Sequence, residues 1–90
     1  MLVYITYHPT KNESNQAKHG MPLDEARSFE WADALVRKDD RFEYGEDRMS
    51  AIGYIGNRLH VVVYVDRGNI RRIISLRKAN KREERQYAEA

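Results

Sequence analysis

Two tight-turn signals constrain this chain more than any other feature. Gly56-Asn57 and Arg67-Gly68 separate three runs rich in β-branched and aromatic residues, Arg48–Ile55, Leu59–Asp66 and Asn69–Lys78. A two-residue loop joins only antiparallel neighbours, so the three runs predict a meander. Leu2–Tyr7 has the same composition and predicts a first strand that stops at Pro9, and Ala34–Lys38 predicts a short second one. The polar stretch Asp39–Asp47 between them and the meander predicts an exposed loop.

Helix signals fill the remaining segments. Thr10-Lys11-Asn12-Glu13 has the form of a capping box, which opens a first helix that ends at Gly20. Pro22, Asp24 and Glu25 suit the start of a second helix reaching Trp31, with Leu23, Ala26 and Phe29 as its buried stripe and Trp31 as packing. Asn80-Lys81-Arg82-Glu83 repeats the capping logic and opens a third helix to about Tyr87. The expected order is β-α-α-β-β-β-β-α. This is an α+β fold: a small mixed, mainly antiparallel sheet with two N-terminal helices on one face and a C-terminal helix. At 90 residues and 41% hydrophobic types, the chain predicts a single domain over 1–90.

The turns also fix a register, and a strand period of two then assigns side chains to faces. One face collects Arg48, Ser50, Ile52, Tyr54, Leu59, Val61, Val63, Val65, Arg72, Ile74, Leu76 and Lys78. It is the more apolar and is expected to pack on the two N-terminal helices. The other collects Met49, Ala51, Gly53, Ile55, Arg58, His60, Val62, Tyr64, Arg71, Ile73, Ser75 and Arg77, and predicts a shallow trough floored by Ala51 and Gly53.

Arginine and tyrosine on a trough suit cleavage of a phosphodiester without a metal. Guanidinium groups neutralise the phosphorane, and a tyrosine ring stacks on a splayed base. The alternative is a set of cross-strand surface pairs. His60 is a candidate acid or base, or else a solvated strand histidine. His19 is a helix cap or a phosphate contact, and His8 a turn residue. The three histidines lack metal-ligand spacing, and no cofactor is expected. Residues 1–47 carry six Lys/Arg against ten Asp/Glu, whereas residues 48–90 carry ten against four. The C-terminal half is therefore the part suited to meet a polyanion, unless the charge merely solvates the surface. The absence of cysteine fits a reducing compartment, with cytoplasm the expected location, and neither a signal peptide nor a membrane span is expected.

Four stretches resemble the BrnT family of toxins. They are Tyr7-His8-Pro9-Thr10-Lys11 leading to Lys18-His19-Gly20; Asp24-Glu25-Ala26; Gly45-Glu46-Asp47-Arg48 before Ile52-Gly53; and Leu59 to Tyr64 running on to Arg72–Ala79 and Lys81-Arg82-Glu83. The resemblance implies a RelE-like ribonuclease that arrests translation by cutting RNA. It also implies a hetero-oligomer with a cognate DNA-binding antitoxin, encoded adjacently, which neutralises the toxin. Position by position, it implies an active set of Glu46, Arg48, Arg72, Arg77 and Lys78. Arg72 and Arg77 would stabilise the phosphorane and Glu46 is the candidate base. Lys18, His19 and Tyr64 are candidate substrate contacts, and Lys78, Lys81 and Arg82 would grip flanking phosphates. His8 replaces an acidic residue common in the family, and Met49 replaces a tryptophan. The competing reading is a non-catalytic RNA- or protein-binding module with the same fold. The resemblance and the register also conflict, since the register parts Arg48, Arg72 and Lys78 from Tyr64 and Arg77. A bulge in the third or fifth strand would resolve this.

Overall fold

The computed structural model describes residues 3–40 and 45–90. Leu2 of the expected first strand and the centre of the expected Asp39–Asp47 loop lie outside them. Five strands form one sheet: β1 (Tyr4–Tyr7), β2 (Leu35–Asp39), β3 (Arg48–Ile55), β4 (Arg58–Arg67) and β5 (Ile70–Lys78). Their spatial order is β1-β5-β4-β3-β2, with β1 parallel to β5 and every other pair antiparallel. The meander follows the sequence reading, as does its first turn at Gly56-Asn57; the second turn is corrected from Arg67-Gly68 to Gly68-Asn69, because Arg67 continues β4 and pairs with Ile70. Gly56 and Gly68 carry the positive φ angles, 63° and 59°, that such turns require. Asp39 belongs to β2 and is buried, so the expected loop starts one residue later than read.

Helix α1 spans Pro9–His19 and α2 spans Lys81–Glu89. The expected capping box at Thr10 and Glu13 does not form. Pro9 begins the helix instead of merely ending the strand, because its fixed φ and missing N–H suit a first helical position. His8 is consequently the cap, and its Nδ1 accepts from the Thr10 N–H at 3.2 Å. Gly20 ends α1 in the left-handed region, its N–H bonded to the Gln16 carbonyl at 2.9 Å. At α2 the expected box is present, with Asn80 and Glu83 each accepting from the other's backbone N–H at 2.9 Å.

The expected second helix is corrected to two 3₁₀ segments, Leu23–Ser28 and Trp31–Asp33. The apolar residues explain the difference. Leu23, Ala26 and Phe29 recur every three positions, and a 3₁₀ helix aligns side chains three apart on one line. All three are buried as expected.

The faces are also corrected. The N-terminal segments pack on the side of Ala51, Val62, Tyr64 and Ile73, which the register had left open. The trough floored by Ala51 and Gly53 exists, but Phe29 fills it: a Cβ on Gly53 would lie 2.7 Å from the tip of that ring. Ile52, Leu59 and Val61, apolar residues of the other side, cluster with Ala79 and receive α2 through Tyr87. Apolar count misassigned the faces because both are covered, each by a different element.

Between β4 and β5 the register shifts. Val63 pairs with Ser75 and Tyr64 with Ile73, so Ile74 has no partner across the ladder. This bulge carries Leu76 into the helix-side core and Arg77 to the opposite side. No helix among the described residues is long and apolar enough to cross a membrane.

Candidate functional site

Among the described residues α2 covers only one end of its sheet face, and beyond it Ser50, Val63 and Ser75 are part-exposed. Strand alternation sets what lines this face: Arg37 and Asp39 of β2 lie across from Ser50 and Arg48 of β3, Ser50 across from Val63 of β4, and Val63 across from Ser75 of β5. Arg72 pairs with Val65 and Arg77 with Val61, so the bulge at Ile74 is what puts both guanidiniums on this side.

Two recesses open there. The one beside α2, about 590 Å³, is lined by Arg37, Ser50, Ser75, Arg77 and Arg82 among others. Arg77 is held by Glu83 in a fork, Nη1 to Oε1 at 2.8 Å and Nη2 to Oε2 at 2.7 Å. Glu83 Oε1 also accepts from the Asn80 N–H, so one carboxylate fixes both the guanidinium and the start of α2. The second recess, about 410 Å³, lies between the entry to α1 and the lower ends of β3 and β5, with Arg48 and Arg72 in its wall. Glu46 holds Arg72 through Nη2, at 3.0 Å to Oε1 and 2.7 Å to Oε2, and also pairs with Arg67 at 3.3 Å.

The predicted residues therefore divide. Glu46, Arg48 and Arg72 gather at the second recess, and Arg77 and Arg82 at the first. Lys78 pairs with His60 and so shares the opposite sheet face, where it is exposed. Lys18 and His19 are exposed in the last turn of α1, and Lys81 is exposed at the start of α2. Among the described residues, Lys18, Lys78, Lys81 and Arg82 form no ion pair.

Tyr64 is away from both recesses, 3% exposed beneath the N-terminal segments. Trp31 packs edge-on against it, with ring centres 5.1 Å apart, and the Arg71 guanidinium lies 4.4 Å from the Tyr64 ring and 4.5 Å from that of Trp31. Burial raises the Tyr64 hydroxyl above its ordinary pKa, opposed by Arg71 and reinforced by Asp66. Arg71 is raised too, chiefly by its paired hydrogen bonds to Asp66 at 2.7 and 2.9 Å. His60 corrects the expected solvated strand histidine. It is 5% exposed, and its Nδ1 donates to the Arg58 carbonyl at 2.9 Å.

Sequence reasoning missed Arg37, Lys11 and His8 as members of the two recesses. Arg37 could have been found from its place in the expected second strand, whereas Lys11 and His8 reach the site only through the parallel β1–β5 pairing, which no turn signal announces. Chemically, paired guanidiniums on a concave face suit recognition of phosphate oxygens, each fork matching two of them. Among the described residues no group of three or more histidine, aspartate or glutamate side chains is placed to hold a metal ion.

A family model described as the ribonuclease toxin, BrnT, of type II toxin–antitoxin systems matches residues 7–83. No curated protein matches the chain. The matched span takes in the second recess and all of the first except Gln86, and covers every strand from β2 to β5. By that match the chain belongs to the BrnT family of ribonuclease toxins of type II toxin–antitoxin systems.

Proposed function

We propose that the chain is a RelE-like, metal-independent endoribonuclease that cuts RNA across the open sheet face, and so inhibits translation in the cytoplasm. A cognate antitoxin neutralises it by covering this face. The observation that carries the reading is the bulge at Ile74, which brings Arg72 and Arg77 to one side of the sheet.

In this mechanism the 2′-oxygen bonds to phosphorus and the bond from phosphorus to the 5′-oxygen breaks, leaving a cyclic phosphate and a free 5′-hydroxyl. Glu46 takes the 2′-hydroxyl proton, and the departing oxygen takes one from solvent. Arg48 and Arg72 neutralise the charge that grows on the phosphorane, and Glu46 orients Arg72 before substrate arrives. Arg77 and Arg82 hold a second phosphate beside α2.

The test is the purified chain with end-labelled RNA in excess chelator. Cleavage is expected to persist, and Arg72→Ala is expected to lower it by about 10²-fold, the usual scale for loss of one oxyanion donor. Arg77→Ala is expected to permit expression of the gene alone without growth arrest, with unchanged circular dichroism. Full activity in both variants would overturn the assignment, and loss of cleavage on chelation would require another mechanism. The product of an adjacent reading frame should restore growth when co-expressed.

The engagement of both guanidiniums by carboxylates favours a second reading, a non-catalytic RNA- or protein-binding module. Turnover in the cleavage assay separates the two.

A further inference from the structure

We propose that the recess at the entry to α1 is a phosphate subsite for RNA in which Lys11 and His8 act beside Arg48 and Arg72. The proposal rests on the ribonuclease reading above and adds two residues to it.

The recess is walled from three elements that are distant in sequence: His8, Thr10 and Lys11 where the chain enters α1, Arg48 from β3, and Arg72 and Ile74 from β5. Its polar side chains are all able to donate, and among the described residues no carboxylate lines it. Glu46 engages Arg72 without entering the wall. Lys11 forms no ion pair among the described residues, so its ammonium adds positive charge that no acidic side chain offsets there.

His8 contributes through its role as a cap. Its Nδ1 accepts from the Thr10 N–H at 3.2 Å, so the neutral ring carries its proton on Nε2. The ring is thereby held with a donor to spare. A concave wall of donors and cations, with Glu46 holding Arg72 from outside it, suits an anion with several oxygens, which describes a phosphodiester.

RNA is favoured over an acidic protein segment because Arg72 in this recess shares its side of the sheet with Arg77. Arg72 and Arg77 face Val65 and Val61, four residues apart on β4 and roughly 13 Å along the strand. The two guanidiniums are held at opposite ends of the face, by Glu46 and Glu83, as suits separate phosphates of one polynucleotide.

The test uses the full chain and a 2′-O-methyl oligoribonucleotide, whose blocked nucleophile makes it a binding probe. Affinity is read by fluorescence anisotropy. Lys11→Gln removes the charge, and His8→Asn keeps a capping oxygen while deleting the Nε2 donor. Each is expected to weaken binding roughly fivefold, the scale of one exposed charge contact, with thermal unfolding unchanged; Lys11→Arg should restore affinity. Wild-type affinity in both variants, with the unaltered chain still cutting RNA, would overturn the subsite and leave the ribonuclease reading intact. Normal RNA binding with weakened antitoxin binding would make the recess a protein contact and also overturn it. Failure of the unaltered chain to bind or cut RNA would remove the ribonuclease reading and the subsite together.

Discussion

Three buried positions show how much a single residue decides here. Gly53 is a glycine because Phe29 needs its space: the nearest ring atoms lie 2.7, 3.1 and 3.2 Å from where a Cβ would stand. Phe29 is itself wedged against Trp31 at 4.6 Å between ring centres, so it has little room to retreat. Gly53→Ala is expected to cost about 1–3 kcal/mol, the range for overpacking a filled core, as measured by urea unfolding. The pair of small residues Ala51 and Gly53 was legible as a trough, but its occupant was not, because strand alternation says nothing about what arrives from another element. Asn15 was not legible at all. It is 4% exposed on a helix otherwise without buried residues, and its amide donates to the carbonyls of Leu76 and Met21 at 2.8 and 2.9 Å. Its oxygen accepts from the Leu76 N–H at 3.0 Å. A polar residue on a polar helix gives no periodic signal, yet this one satisfies both the N–H and the carbonyl of Leu76 in β5.

At the scale of elements, the strands and the caps behaved differently. The meander followed from its turns because two-residue loops leave one solution, and the capping box of α2 followed because Asn80 and Glu83 have no competitor. At α1 two start signals competed at adjacent residues, Pro9 and Thr10, and the proline took the first helical position. The helices are also attached in different ways, which gives a contrast to measure. Asn80→Ala removes one capping oxygen at an exposed site and is expected to lower stability by about 1 kcal/mol. Asn15→Ala strands a buried N–H and two buried carbonyls, and is expected to cost about 2–4 kcal/mol. Equal effects in thermal unfolding would contradict the view that the buried Asn15 amide contributes more than the exposed cap of α2.

For the whole molecule, the division into an acidic first half and a basic second half does not coincide with the elements that line the two recesses. The open face takes Arg48, Arg72, Arg77 and Arg82 from the basic half, yet it also takes Lys11 and Arg37 from the acidic half. With two phosphate subsites occupied, log affinity for single-stranded RNA should fall against log salt with a slope of at least about 1.4 in magnitude, at roughly 0.7 per phosphate. A flat response would exclude both subsites. The face itself depends on Ile74, the residue the ladder skips. Since alternation along a strand is a matter of odd and even, one surplus codon inverts the parity of every position that follows. A homologous gene lacking that codon would have to encode the last arginine of this strand one step out of phase, or else turn it inward under the N-terminal segments.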